Sequence, residues 1–337
     1  MEKEKAPEGA PLTIKNNNNK TNISPEEKLK KIKDPELRET LKRIYTKIQS
    51  KNFAEYEELK LEIESAPPPK PEQMKFSFLP QKLAKVSIFF PMSDKELKEE
   101  RRRISRIENE TSWGKVIVEG IKLAIFEEDI LLSLFILLGK YPSNLQKFEE
   151  GFLLETNLME IARILYFGKS YSKETYNRIL NTLRHFQLVR FEIITDYWKK
   201  EKGEKIRMKK IRSIGGIISG FKYDEKTKNI QIYFNPLFMT FFLSSFLIPI
   251  NFTIRRKLKR DGSKALLRFL RAHTKPQRMH ILTILKAINY NIDQPLYLLR
   301  RKFKQFVSEL KKHKILGPKT QIYPDDTVYF DLLKNDS

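Results

Sequence analysis

The chain has 337 residues and carries 65 Lys+Arg against 42 Asp+Glu, a formal net charge of +23. Hydrophobic residues make up 40%, enough for packed cores and too much for wholesale disorder. Cysteine is absent, which excludes disulfide scaffolds, thiolate zinc sites and Cys nucleophiles and fits a reducing, cytoplasmic setting.

At roughly 150 residues per domain the length predicts two domains plus an extension. The first ten residues are charged and show no apolar secretory segment. Residues 1–74 carry 15 basic and 14 acidic side chains, whereas the remaining 263 carry 50 and 28. The positive field therefore belongs to the folded part and favours a polyanion, since neutralised phosphates release condensed counterions.

In chain order, residues 1–24 with the Asn16–Asn19 run read as a disordered tail. Residues 25–65 read as a helical hairpin, with Leu37, Leu41, Ile44 and Ile48 at three- and four-residue steps. Ala66-Pro67-Pro68-Pro69-Lys70-Pro71 opens a stiff linker expected over 66–85. An extended segment at 86–91, a charged helix at 93–106 and an alternating strand at 117–123 follow. An apolar helix at 127–138 then opens on Glu127-Glu128-Asp129, acids that suit a helix N-terminus.

From there an element order appears twice. The first copy, within a domain expected over 86–252, has helices at 127–138, 157–166 and 172–187 and a strand at 189–196. A Lys-rich loop at 199–210 and strands at 211–221 and 230–235 complete it. The uncharged stretch 230–254 contains Pro236 and Pro249 and reads as a core strand followed by a buried helix, not as a membrane span. The second copy, over 253–337, has helices at 263–273, 281–290 and 295–312, then strands near 321–323 and 327–332. Three helices and a β-hairpin are the order of a winged helix, a helix-turn-helix variant. The expected fold class is α+β, mainly helical, with two tandem winged-helix domains behind an N-terminal helical extension.

On a helical wheel, residues 295–312 gather Leu296, Leu299, Phe303, Phe306, Val307 and Leu310 into one core-facing stripe. The other side carries Tyr297, Arg301, Lys304, Gln305, Ser308 and Lys312, flanked by Arg300, Lys302 and Lys311. Arg and Gln can pair bidentately with guanine and adenine edges, while Lys favours phosphates. An ordinary solvated amphipathic helix would also be basic outside, but the place after a short helix and before a hairpin favours a recognition helix. In the first copy, 172–187 presents Asn177, Arg178, Asn181, Arg184 and His185, with Lys169 and Lys173 at its entrance. That face suits DNA or a subunit interface equally. The loop after it, rich in Lys199, Lys200 and Lys202, is expected to lie along a phosphate backbone.

No catalytic constellation is visible. Gly168-Lys169-Ser170 lacks the partner glycine of a phosphate-binding loop, because Arg163 stands in its place. His185, His273, His280 and His313 are scattered, and Asp325-Asp326 reads as turn chemistry. The expectation is a binder with no cofactor, no metal and no enzymatic activity.

Several stretches carry a family likeness. They are Ser112-Trp113-Gly114, Lys169-Ser170-Tyr171, the run from Ser219-Gly220-Phe221 to Lys226-Thr227-Lys228 with Asn235-Pro236 after it, and His273-Thr274-Lys275-Pro276. Leu299-Arg300-Arg301-Lys302-Phe303 and Ser308-Glu309-Leu310 complete the set. In this order, over about three quarters of the chain, 86–333 resembles plasmid replication initiators of the twin winged-helix type, the TrfA and RepA relatives. The resemblance implies binding to directly repeated origin sequences (iterons), opening of adjacent A·T-rich DNA and recruitment of the host replicative helicase or initiator proteins. It also implies homodimers that repress their own gene, with monomers initiating, and hence plasmid copy-number control. A transcriptional regulator that leaves DNA paired, and a divergent primase or nuclease, are the rival readings.

Overall fold

The computed structural model describes residues 76–333 except 86, 93–95, 97, 98, 100–104, 112, 113, 141–144, 149, 150, 167–170, 202, 203, 245, 246 and 274–277. The expected tail at 1–24 and helical hairpin at 25–65 lie outside the described residues, as does most of the expected helix at 93–106.

The segment expected as linker is structured in its second half. Strand β1 (Phe76–Pro80) and helix α1 (Gln81–Lys85) occupy it, and β1 pairs antiparallel with a strand far along the chain, Phe76 opposite Asn251. Ser77 and Leu79 are buried, and the Ser77 hydroxyl donates to the Leu132 carbonyl at 2.8 Å. Strand β2 (Phe89–Phe90), strands β3 (Ser105–Thr111) and β4 (Gly114–Gly120), and β5 (Leu123–Ala124) lead to helix α2 (Ile125–Lys140).

Helix α2 is the pillar of the first unit. Its residues from Ile130 to Leu138 are buried on every side, the signature of a helix that others must surround. Strands β6 (Leu145–Phe148) and β7 (Gly151–Asn157) come next, then helices α3 (Leu158–Tyr166) and α4 (Lys173–Leu188). Strands β8 (Val189–Glu201) and β9 (Glu204–Gly215) form one long antiparallel hairpin. That overturns the loop expected at 199–210: Lys199 pairs with Ile206 and Lys200 with Lys205 within the ladder. Strands β10 (Ile218–Tyr223) and β11 (Asn229–Phe234), helix α5 (Pro236–Ser244) and strand β12 (Leu247–Asn251) close the unit.

Two four-stranded sheets result, in the orders β3-β4-β8-β9 and β10-β11-β7-β6. The uncharged 230–254 stretch is divided among β11, α5 and β12, so the expected strand and helix are joined by a second strand, the partner of β1. Among the described residues no helix is long and apolar enough to cross a membrane.

The second unit follows as helices α6 (Phe252–Lys257) and α7 (Asp261–Ala272), strand β13 (Met279–His280), helices α8 (Ile281–Ala287) and α9 (Leu296–Lys312), and strands β14 (Gln321–Ile322) and β15 (Thr327–Tyr329). Its three strands take the order β13-β15-β14, so the strand between α7 and α8 closes onto the hairpin. Helix α9 packs on α7 where Phe306 meets Gly262: a Cβ at Gly262 would lie 2.2 Å from Phe306 Cζ, a clash. One apolar core runs through both units, and α7 lies against α1, α2 and β12 as well as α9.

The joint between the units is ionic and buried. Arg255 on α6 sends its Nε to Asp129 Oδ1 at 2.6 Å and its Nη2 to Glu128 at 3.2 Å. Arg268 on α7 pairs with the same Glu128, and Lys264 Nζ meets Asp129 Oδ2 at 2.5 Å. The side chains of Arg255, Arg268 and Glu128 are 0% exposed. Acids at the N-terminus of α2 thus hold three cations of the second unit besides favouring their own helix dipole.

Candidate nucleic-acid interface

Helix α9 buries Leu299, Phe303, Phe306, Val307 and Leu310. At about 1.5–3 kcal/mol for each large apolar side chain, turning this face outward would cost on the order of 10 kcal/mol. The opposite face is thereby fixed toward solvent. Leu296, expected in the buried stripe, is instead 42% exposed in the first turn, beside Tyr297 at 70%.

Along that outer face runs a groove of about 640 Å³ lined by Arg301, Lys304, Gln305, Ser308, Glu309, Lys312 and His313 of α9 and its C-terminal end. Its other wall is Lys257, Lys259 and Arg260, the connector between α6 and α7. Six Lys and Arg side chains thus face one carboxylate. That carboxylate is already engaged: Glu309 accepts from the Lys259 backbone N–H at 2.7 Å, the Arg260 N–H at 3.4 Å and the Ser263 hydroxyl at 2.7 Å. Arg260 stands at the N-cap of α7 without a side-chain cap bond, so the Glu309 carboxylate serves the orphan amides there. Burial pushes the Glu309 carboxyl up, but these hydrogen bonds and the Arg260 charge outweigh it and hold the group below its ordinary range.

Five of the expected base-reading residues, Arg301, Lys304, Gln305, Ser308 and Lys312, come together in this groove. Arg300 does not. Its Nε donates to the Asp326 carboxylate and its Nη2 to the Pro324 carbonyl at 3.2 Å, tying it to the β14–β15 turn. The hydrogen bond to Asp326 raises its pKa further. The same turn holds Arg278, whose Nε donates to Thr327 Oγ1 at 2.6 Å and whose Nη2 meets Asp325 at 3.0 Å. Asp325 also accepts from the Thr327 N–H at 3.1 Å, and Asp326 sits at φ 58°, the left-handed conformation such turn residues tolerate.

In the first unit, α4 starts at Ser172, whose hydroxyl accepts from the Thr175 N–H at 3.3 Å. It buries Ile179, Leu180, Leu183 and Phe186 and leaves Lys173, Asn177, Arg178, Asn181 and Arg184 exposed. Two of these are partly committed: the Arg178 guanidinium stacks on Phe126 at 3.8 Å, and Arg184 donates to Asn181 Oδ1 at 2.6 Å. His185 turns inward to Glu127 at 3.0 Å and leaves the presented set. Lys169 and Lys202 lie outside the described residues, and Lys199 and Lys200 are placed only through the backbone of β8.

Sequence reasoning missed Lys257, Lys259 and Arg260. The signal was the run Arg255-Arg256-Lys257-Leu258-Lys259-Arg260, which lay at an expected domain boundary and outside any expected helix face. Among the described residues no group of three or more His, Cys, Asp or Glu side chains could hold a metal ion.

No family model matches the chain, and no curated protein does. Solved structures with some likeness include domains 2 and 3 of RctB, 11% identical over 75% of this chain and 98% of that one, with a TM-score of 0.48. A second structure of RctB domains 2–3 covers 66% of this chain and 88% of that one at 11% identity and a TM-score of 0.37. The Pi initiator protein in complex with iteron DNA covers 78% of this chain and 99% of that one at 11% identity and a TM-score of 0.32. Likenesses of this size leave the interface to stand on its own geometry.

Proposed function

We propose that this chain binds double-stranded DNA sequence-specifically through two winged-helix units and acts as an initiator of plasmid replication. The observation that carries the reading is the groove along α9, where an Arg, a Gln and a Ser able to address base edges stand among five further Lys and Arg side chains. The order helix, strand, helix, helix, strand, strand, with β13 closing onto β15, supports a winged-helix reading, in which the third helix would enter a major groove. The first unit, fixed to the second by the buried ionic joint, would address the same duplex through α4 and the β8–β9 hairpin.

As an initiator the protein would bind repeated origin DNA, open an adjacent A·T-rich segment by binding energy and DNA deformation, and recruit host replication proteins. It performs no chemistry of its own. Selection of bound sequences from a randomised duplex library, followed by permanganate footprinting on a supercoiled plasmid carrying the selected repeats, tests this reading. Selective binding with reactive thymines beside the repeats is the expected result. Selective binding with unreactive thymines makes the protein a transcriptional regulator, and absence of sequence selection refutes the recognition helix.

A further inference from the structure

The connector between the units has more structure than a hinge requires. Within six residues it alternates between interior and groove. Arg255 is fully buried against Glu128 and Asp129, and Leu258 is buried in the core. Arg256 Nη1 donates to the Ile164 carbonyl at 2.6 Å, and its guanidinium lies over Phe252 at 5.5 Å. Lys257, Lys259 and Arg260 are exposed and form one wall of the groove. The backbone of Lys259 and Arg260 is held from the other wall by Glu309. Carboxylates of both units thus fix a short segment that turns three cations toward the groove, of which Arg260 also lies 3.6 Å from Glu309.

The geometry points to a phosphodiester-binding strap: Lys257, Lys259 and Arg260 hold the backbone of one DNA strand while α9 addresses the bases from the facing wall. This deepens the DNA-binding reading and rests on it. Duplex DNA is favoured over other polyanions because the facing wall supplies Arg301 and Gln305, whose donors match base edges, alongside the phosphate-seeking lysines. The β14–β15 turn is the poorer backbone contact, since it carries Asp325 and Asp326 and engages Arg278 and Arg300 internally. The strap takes the place a basic wing would otherwise fill.

Fluorescence anisotropy on two duplexes, one selected by the full-length protein and one of scrambled sequence, tests the strap across a salt series. For Lys259→Ala with Arg260→Ala, two lost phosphate contacts should flatten the slope of log affinity against log salt by about 1.8. The affinity ratio of wild type to variant should then shrink by about tenfold between about 50 and 200 mM salt, equally on both duplexes. Lys259→Arg with Arg260→Lys should restore the slope, which separates lost charge from lost fold. Arg301→Ala should weaken the selected duplex more than the scrambled one. An unchanged slope in the double Ala variant, with the Arg301 effect intact, overturns the strap alone. Failure of the wild-type protein to bind either duplex overturns the DNA-binding reading and the strap together.

Discussion

Replacing Glu128 by Gln should be among the most damaging single changes in the protein. Glu128 has no exposed surface and faces two guanidiniums, Arg255 at 3.2 Å and Arg268. Arg255 keeps Asp129 when Glu128 is neutralised, but among the described residues Arg268 pairs with Glu128, and its Nε and Nη2 are already without hydrogen-bond partners there. Burial, opposed only in part by Glu128, already lowers the Arg268 pKa, so its charge is held at some cost. Removing one partner of a buried pair costs about 3–5 kcal/mol, because the other charge remains in the interior. Against a typical total of about 5–15 kcal/mol, that is a large share. Substituting both partners by apolar residues, Glu128→Leu with Arg268→Met, removes the stranded charge and should be less harmful than Glu128→Gln alone. Urea unfolding followed by circular dichroism compares the three proteins. A single variant within about 1 kcal/mol of wild type, or a double variant less stable than the single, would refute the reasoning.

Acid should weaken the same joint and the groove wall together. Lys264 and Arg255 outweigh burial and hold the Asp129 carboxyl below its ordinary range, and Glu309 is likewise lowered. Depressed carboxylates stabilise the fold fully above their unfolded values, about 3.9 for Asp and 4.3 for Glu, and the contribution is lost as pH falls through the folded values. Urea midpoints measured from neutral pH down to about pH 3 should therefore fall at the acid end, and less steeply in Asp129→Asn. Gly262→Ala should cost about 1–3 kcal/mol by pushing α9 off α7, read as a lower melting temperature. Arg301→Ala should lose about 1–3 kcal/mol on the preferred duplex and blur one base position, whereas Arg300→Ala should leave base preference unaltered in the same selection.

Much of the second unit was legible because its signals are local. Apolar residues at helical spacing placed α9 to within a residue, and the Asp325-Asp326 turn placed the hairpin. The failures share a different cause. Strand β1 follows a proline run and finds its partner some 170 residues away, a pairing no local window reports. Strands β6 and β7 are short and joined around Glu149-Glu150, so their composition resembles a loop. The Lys-rich arms of β8 and β9 resemble one too, although each hydrogen bond of the ladder is blind to the side chains outside it. Leu296 matched the apolar stripe by angle and failed by position, since the first turn of α9 projects beyond the core it caps.

Charge was the hardest quantity to apportion, and here the structure changes the argument most. A surplus of basic residues after position 74 looks from the sequence like a uniform field for a polyanion, yet many cations are consumed within the fold. Arg255, Arg268 and Lys264 answer the acids of α2, and Arg278 and Arg300 answer the hairpin turn. Lys311, on the flank of α9, donates to the Thr320 carbonyl at 2.8 Å. Among the described residues of the second unit, six Lys and Arg side chains gather where the connector meets α9. On the proposed reading, such a localised groove would fix the register of a duplex, which a diffuse positive surface would not. The internal pairs therefore shape the surface by what they remove from it as well as by the geometry they hold.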